Sequence, residues 1–178
     1  DTNAAVGPTH VVETVNTDLA VFNKTTGAIV FGPVPINTLW SGFGGGCQVD
    51  NDGDPIVTYD RLADRWIISQ FQVTTTPFQQ CVAVSQTPDP TGAYFRYAFN
   101  YSGFPDYPKM GVWPDAYYIS YNMFNNAGTS FQRRRSRERR VRRRRPVDVE
   151  LPAPRSPTGS STSTGRRRRT RRSRDRRL

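Results

Sequence analysis

The sequence predicts an all-β fold for residues 1–131, and two observations carry that prediction. Short runs of alternating aromatic and β-branched residues are separated by clusters of Gly, Pro, Asn and Asp, the pattern of strands joined by tight turns. One stretch of chain then recurs at an even spacing, as it does when one small sheet is repeated.

The strands are clearest between Asp54 and Asn100. Ile56–Tyr59 reads as a strand, 61–64 as a turn, and Trp66–Phe71, Cys81–Gln86 and Tyr94–Phe99 as three further strands. The connection Thr87-Pro88-Asp89-Pro90-Thr91-Gly92 holds two prolines that cannot donate to a ladder and a glycine free to turn. The spacing predicts four consecutive antiparallel strands of one sheet, which is the content of a propeller blade.

The repeat supports that unit. Pro8–Asn16 (PTHVVETVN) aligns without gaps on Pro114–Asn122 (PDAYYISYN), 106 residues later, with Val12 on Tyr118 and Val15 on Tyr121. Between them lies ADRWIISQF, residues 63–71, with Trp66 standing 54 after Val12 and 52 before Tyr118. A period of about 53 residues is that of kelch-like blades. The expected architecture is therefore an incomplete β-propeller of about two to three four-stranded antiparallel blades.

Charge divides the chain near Phe131. Residues 1–131 hold Lys24, Arg61, Arg65, Arg96 and Lys109 against eleven carboxylates, a net of −6. Residues 132–178 hold twenty Arg against Glu138, Asp148, Glu150 and Asp175, a net of +16. All three Trp, eight Tyr and ten Phe precede residue 132, so only that piece can bury a core large enough to offset chain entropy. The expected domains are a partial propeller, 1–131, and a disordered Arg-rich tail, 132–178. Arg without Lys, amid Pro, Ser, Thr and Gly, is also the composition of GC-rich DNA read out of frame, so a frameshift artefact is one reading of the tail. A genuine tail would bind polyanions or nucleic acid through counterion release, with little base readout. The expectation in either case is a tail that makes almost no contact with the rest.

The phrases VGPTHVVETVN, GPVPINTLWSGFGG, NDGDPIVTYDRLADRWIISQF, CVAVSQTPDPTGAYFRYAF and FPDYPKMGVWPDAYYISYNMF resemble large secreted bacterial β-propeller proteins of the BNR/YVTN-repeat class. The resemblance covers nearly all of residues 1–131 and implies an exported chain, a six- to eight-bladed propeller and, for most members, no assigned activity. Thr87-x-Asp89-x-x-Gly92-x-x-Phe95 is similar to the Asp-box of BNR repeats, with one extra residue and without its Trp. The chain begins with Asp and no signal peptide precedes it, as in a mature form or a fragment. No apolar run approaches the roughly 18 residues of a membrane span.

Candidate sites are few. Asp50, Asp52 and Asp54 alternate around Gly53 like the start of a calcium loop, but the distal Glu is missing, and the same residues suit a self-capping turn. Cys47 and Cys81 could form a disulfide closing about 35 residues, worth roughly 3–4 kcal/mol, or stay as buried thiols. Ser41–Gly46 lacks the Gly-Lys-Ser/Thr of a phosphate loop and reads as a blade connection. His10 is the only histidine and Glu13 the only glutamate before residue 132, and neither GxSxG nor HExxH occurs. Pairs among Asp54, Asp60, Asp64, Asp106 and Asp115 are all that a glycosidase mechanism could draw on. Tyr94, Tyr97, Tyr117 and Tyr121 could line a carbohydrate surface or pack within a sheet.

These features point to a non-catalytic extracellular scaffold or recognition module, secreted, with no cofactor beyond a candidate calcium and with a protein or carbohydrate partner. Two alternatives stay open: a fragment of a sialidase-like glycoside hydrolase whose catalytic blades lie elsewhere, and nucleic-acid binding through the tail.

Overall fold

The computed structural model describes residues 2–142. Three antiparallel sheets follow one another along the chain. The first comprises β1 (Thr2–Val6), β2 (His10–Val15), β3 (Asp18–Asn23) and β4 (Ile29–Pro35) in sequential order. The second comprises β5 (Ile56–Asp60), β6 (Arg65–Gln72), β7 (Phe78–Ser85) and β8 (Tyr94–Tyr101), again in order. The third holds β9 (Phe104–Val112), β10 (Ala116–Phe124) and β11 (Phe131–Arg142), with β10 in the middle. The four strands expected between Ile56 and Phe99 are thus consecutive antiparallel neighbours, each longer than expected by one to three residues at one or both ends, although β7 stops at Ser85, one residue short of the expected Gln86.

Proline placement follows the ladder rules. Pro33 and Pro35 lie on β4 and Pro105 and Pro108 on β9, which are edge strands of their sheets, where a missing N–H costs no bond. The doubly flanked β6 and β7 carry none and are buried along nearly their whole length.

Two cores separate the sheets. Val12, Leu19 and Val21 of the first sheet meet Val57, Trp66, Ile68, Cys81 and Ala83 of the second. The alternate residues of the second sheet, Ile67, Val82 and Val84, meet Tyr117, Ile119, Tyr121 and Met123 of the third. Period-2 alternation therefore serves both faces of the middle sheet, which reads as a continuous apolar run because both faces are covered. Polar bonds tie the sheets as well. Asn3 Oδ1 accepts the Val57 backbone N–H (2.9 Å), joining β1 to β5, and the Tyr117 hydroxyl donates to Asp60 Oδ2 (2.9 Å), joining β10 to the end of β5.

The three segments matched in sequence are the second strands β2, β6 and β10. Their hairpins have equal length, the last pairs being Val6↔Val11, Asp60↔Arg65 and Val112↔Tyr117. The first and third even share a turn bond at the same offset, Gly7 N–H to His10 C=O (2.9 Å) and Trp113 N–H to Ala116 C=O (3.0 Å). Trp66 therefore stands at the hairpin position of Val12 and Tyr118, but it differs in the face it presents. Trp66 and Tyr117 each face the preceding sheet, whereas Val12 faces the following one.

Residues 36–55, between the first and second sheets, hold what the sequence did not announce, a 3-10 helix at Ile36–Trp40 and one helical turn, α1, at Gly46–Val49. Ile36, Trp40 and Cys47 from this connection are buried in the first core. Cys47 and Cys81 are disulfide-bonded, with Cα atoms 5.7 Å apart, so the connection is covalently held to β7.

The expected boundary after Phe131 falls within β11. The backbone pairs with β10 as far as Arg142, with Met123 opposite Arg133 and Ile119 opposite Arg137. The expectation of a tail that starts at residue 132 and barely touches the rest is corrected to that extent. Low apolar content bars a segment from forming a core, but ladder bonds are made by backbone groups that every non-proline residue carries, and β10 has a free edge to satisfy. The rest of the expected tail, residues 143–178, lies outside the described residues.

Candidate functional site

The Asp50–Asp54 loop is a structural knot. Asp52 Oδ2 accepts the backbone N–H groups of Val73 (2.6 Å) and Thr74 (2.9 Å), and its Oδ1 accepts the Thr74 hydroxyl (2.7 Å). Asn51 donates through Nδ2 to Thr17 C=O (2.9 Å), and Gly53 C=O accepts the Phe71 N–H. Gly53 has φ +101°, and a Cβ there would stand 2.9 Å from Asn16 C=O, so only glycine suits the position. The loop binds the β2–β3 turn to the β6–β7 turn. Asp50, Asp52 and Asp54 do not converge, and among the described residues no three His, Cys, Asp or Glu side chains are grouped as metal ligands. Asp52 thus caps backbone groups of a distant turn, at Val73 and Thr74, rather than of its own.

Asp54 takes a different part. It precedes β5, and the stacking of the second and third sheets brings it near Asp106 of β9, 52 residues on. Burial, and then the negative charge of Asp106, push the Asp54 carboxyl above its usual range, while Lys109 and the Tyr107 backbone N–H pull the other way. Nothing in the sequence marks this pair, since only tertiary packing unites it. A carboxyl whose pKa is raised beside a second carboxylate is the pattern of an acid–base pair and also of a strained structural contact.

The linkage has a definite sign. Because the folded-state pKa of Asp54 exceeds the unfolded value, the folded protein holds the extra proton between the two. Stability from this group is present below the unfolded pKa and is lost as pH rises through the folded one. Asp54→Asn keeps an acceptor for the Tyr107 N–H and removes the titration. The variant is expected to gain stability over the wild type as pH rises from about 3 to 7, read by urea unfolding at several pH values. A wild type that gains on the variant with rising pH contradicts the assignment.

The Asp-box-like hairpin is locked by its own polar groups. Asp89 Oδ1 accepts both the backbone N–H and the hydroxyl of Thr91, each at 2.8 Å. Those bonds hold its carboxyl below the usual range, with the nearby His10 contributing in the same sense. Ser85 Oγ donates to Thr87 C=O (2.7 Å) and accepts the Trp66 N–H (2.9 Å), and the Trp66 indole N–H reaches Pro88 C=O (2.8 Å). His10 itself is half-buried, 2.9 Å from the Thr9 hydroxyl through Nδ1. Between this hairpin and the 3-10 helix runs a groove of about 390 Å³ lined by Phe31, Leu39, Pro90, Ala93, Tyr94 and Arg96. Arg96 is engaged at its rim, donating to Ser41 C=O (2.6 Å) with its guanidinium 5.6 Å from the Phe43 ring centroid.

The tyrosines divide. Tyr117 and Tyr121 are buried between the second and third sheets, which corrects their candidacy for a carbohydrate surface. Tyr94 donates its hydroxyl to Pro90 C=O (2.6 Å), and burial raises its pKa. Tyr97 stacks on Phe99, ring centroids 6.2 Å apart. Of the other aspartates, Asp60 caps its own turn at Leu62 and Ala63, and Asp115 accepts the Tyr118 hydroxyl.

No helix among the described residues is long and apolar enough to cross a membrane. Comparison with protein-family models, curated proteins and solved structures finds no match.

Proposed function

We propose that residues 2–142 are part of a β-propeller that serves as a non-catalytic extracellular scaffold or recognition module. The observation that carries the reading is the arrangement of three consecutive antiparallel meanders, each with the matched segment as its second strand and with their first strands, β1 and β5, bonded side chain to backbone. Meanders placed side by side by their first strands are the building plan of propellers. The chemistry of the carboxylates supports a structural role: Asp52, Asp60, Asp89 and Asp115 are committed to hydrogen bonds that hold turns and strand ends. Disulfide bonding fits an oxidising compartment, and so a secreted chain. A protein or carbohydrate partner is the class such a surface would take.

The hydrolase alternative would have to draw on Asp54 and Asp106. Incubating the full chain with a panel of soluble polysaccharides and sialosides, while measuring both retention and new reducing ends, separates the two. The recognition reading expects no release of reducing ends above background. Release that disappears in Asp54→Asn would overturn it in favour of the hydrolase.

A further inference from the structure

We propose that the Asp54–Pro55 peptide bond is a site of self-cleavage, cut in mildly acidic solution by attack of the Asp54 carboxyl on its own backbone carbonyl. The chain holds two Asp–Pro bonds, Asp54–Pro55 and Asp89–Pro90. Acid opens such bonds readily, because a carboxyl oxygen reaches the neighbouring carbonyl carbon through a small ring and the tertiary amide nitrogen of proline takes a proton and leaves. The fold treats the two bonds in opposite ways.

Asp54 is a non-glycine residue at φ +44°. The ring of a following proline pushes its predecessor toward extended backbone with negative φ, so this conformation is disfavoured both by the Asp54 Cβ and by Pro55. It persists because both flanks are pinned to the same part of the second sheet. Upstream, Gly53 C=O accepts the Phe71 N–H of β6 (3.3 Å), and Asp52 caps Val73 and Thr74. Downstream, Pro55 is buried and Ile56 enters the ladder opposite Ser69 of β6. Strain enforced by neighbours in this way gathers at functional sites, and opening the bond relieves it.

The third sheet is shaped to this residue. The register of β9 on β10 shifts between Lys109, opposite Ser120, and Asp106, opposite Asn122, and within that bulge Tyr107 stands at φ +52°. The bulge brings the Tyr107 backbone N–H to the Asp54 carboxyl. The charged groups around that carboxyl are Asp106 and Lys109 of β9 and the amino terminus. Burial and Asp106 favour its acid form, the two cations and the Tyr107 N–H oppose it, and the acid form gains on balance.

The reaction consumes one water. The acid form supplies both reagents: its oxygen adds to the Asp54 carbonyl carbon, its proton passes to the Pro55 nitrogen, and the C–N bond breaks. Asp54 is left as a cyclic anhydride and Pro55 as a free secondary amine. Water then opens the anhydride to two carboxyls, and Asp54 is only half-buried, so solvent reaches it. Asp89 has neither the strain nor the acid form. Its φ is negative, and its carboxyl accepts the N–H and the hydroxyl of Thr91, which favour the anion. Cys47 and Cys81 stand on opposite sides of the Asp54–Pro55 bond and are bridged, so the product is a two-chain protein that comes apart only on reduction.

The test keeps the full chain at about pH 7 and at the lowest pH that preserves its near-ultraviolet circular dichroism, and follows it by gel electrophoresis with and without reductant and by fragment masses. The expected result is a cut between residues 54 and 55, faster at the lower pH and visible only after reduction. It should run about 10-fold or more faster than the cut at Asp89–Pro90, a factor that release of one strained residue can supply. In urea the two bonds should cut at similar rates, since only the fold distinguishes them. Asp54→Gly, which suits a positive φ, should abolish the cut. Pro55→Ala, which retains the carboxyl but offers a poorer leaving nitrogen, should slow it. Equal rates at the two Asp–Pro bonds of the native chain overturn the proposal, as do a native rate at Asp54–Pro55 no faster than in urea and a cut that survives Asp54→Gly.

Discussion

Trp66→Ala is expected to remove about 3–5 kcal/mol of unfolding free energy, the range for a large aromatic deleted from a packed core. Trp66 is fully buried and spans both structural units it touches. Its ring lies over Gly7 of the first sheet and 4.8 Å from the Tyr59 ring, centroid to centroid. Its indole N–H is bonded to Pro88 in the hairpin that closes the second sheet. Truncation leaves a cavity between two sheets and an unpaired carbonyl. Urea unfolding measures the loss, and a cost below about 1 kcal/mol would mean that the sheets do not meet at this ring. The same contact makes a double-mutant cycle informative. Gly7→Ala should be costly in the wild type, where the new methyl meets the indole, and much less so beside Trp66→Ala, a coupling that distant sites do not show.

Loss of the disulfide is the second large effect. Cys47 and Cys81 stand 34 residues apart in sequence and are both fully buried. The bond closes a loop containing α1, the Asp50–Asp54 knot, β5 and β6, so its removal frees the denatured chain over a long segment. Replacing both by Ala, or reducing the protein, is expected to cost about 2–5 kcal/mol. The connection should loosen first, because α1 is a single turn and a helix of that length does not persist without tertiary contacts. Proteolysis between Ser41 and Asp50 in the reduced protein, absent in the oxidised one, is the accompanying readout. Equal stability of the two forms would show that the connection is held by Trp40 and Ile36 alone.

What could be read from the residues, and what could not, follows from which interactions are local. The strands of the second sheet were legible because Gly, Pro and Asp punctuate them and β-branched and aromatic residues fill them, both effects of nearby chain. The third sheet's middle strand was legible as a copy of β2. The connection was not, since Ile36–Trp40 and Gly46–Val49 are too short to show a helical period. The extent of β11 was missed because composition reports on burial, whereas this strand is recruited by the open edge of β10. The facing of Trp66, opposite to that of Val12 at the same hairpin position, leaves no mark in the sequence. Asp52 caps Val73 and Thr74, about twenty residues away, partners that the local sequence does not reveal. The Asp54–Asp106 approach exists only once the second and third sheets are stacked.

Amide hydrogen exchange over residues 116–124 in the full chain tests the central claim, a stack of three meanders whose second strands are flanked on both sides, most directly. Flanked by β9 and β11 and buried against the second sheet, this segment is predicted to exchange slowly, on the scale of residues 65–72 in β6. The turn at 125–130 should exchange quickly beside it. Exchange of residues 116–124 as fast as that turn would contradict the account, since it would leave β10 without its ladders and the second sheet without the neighbour that buries Ile67 and Val84.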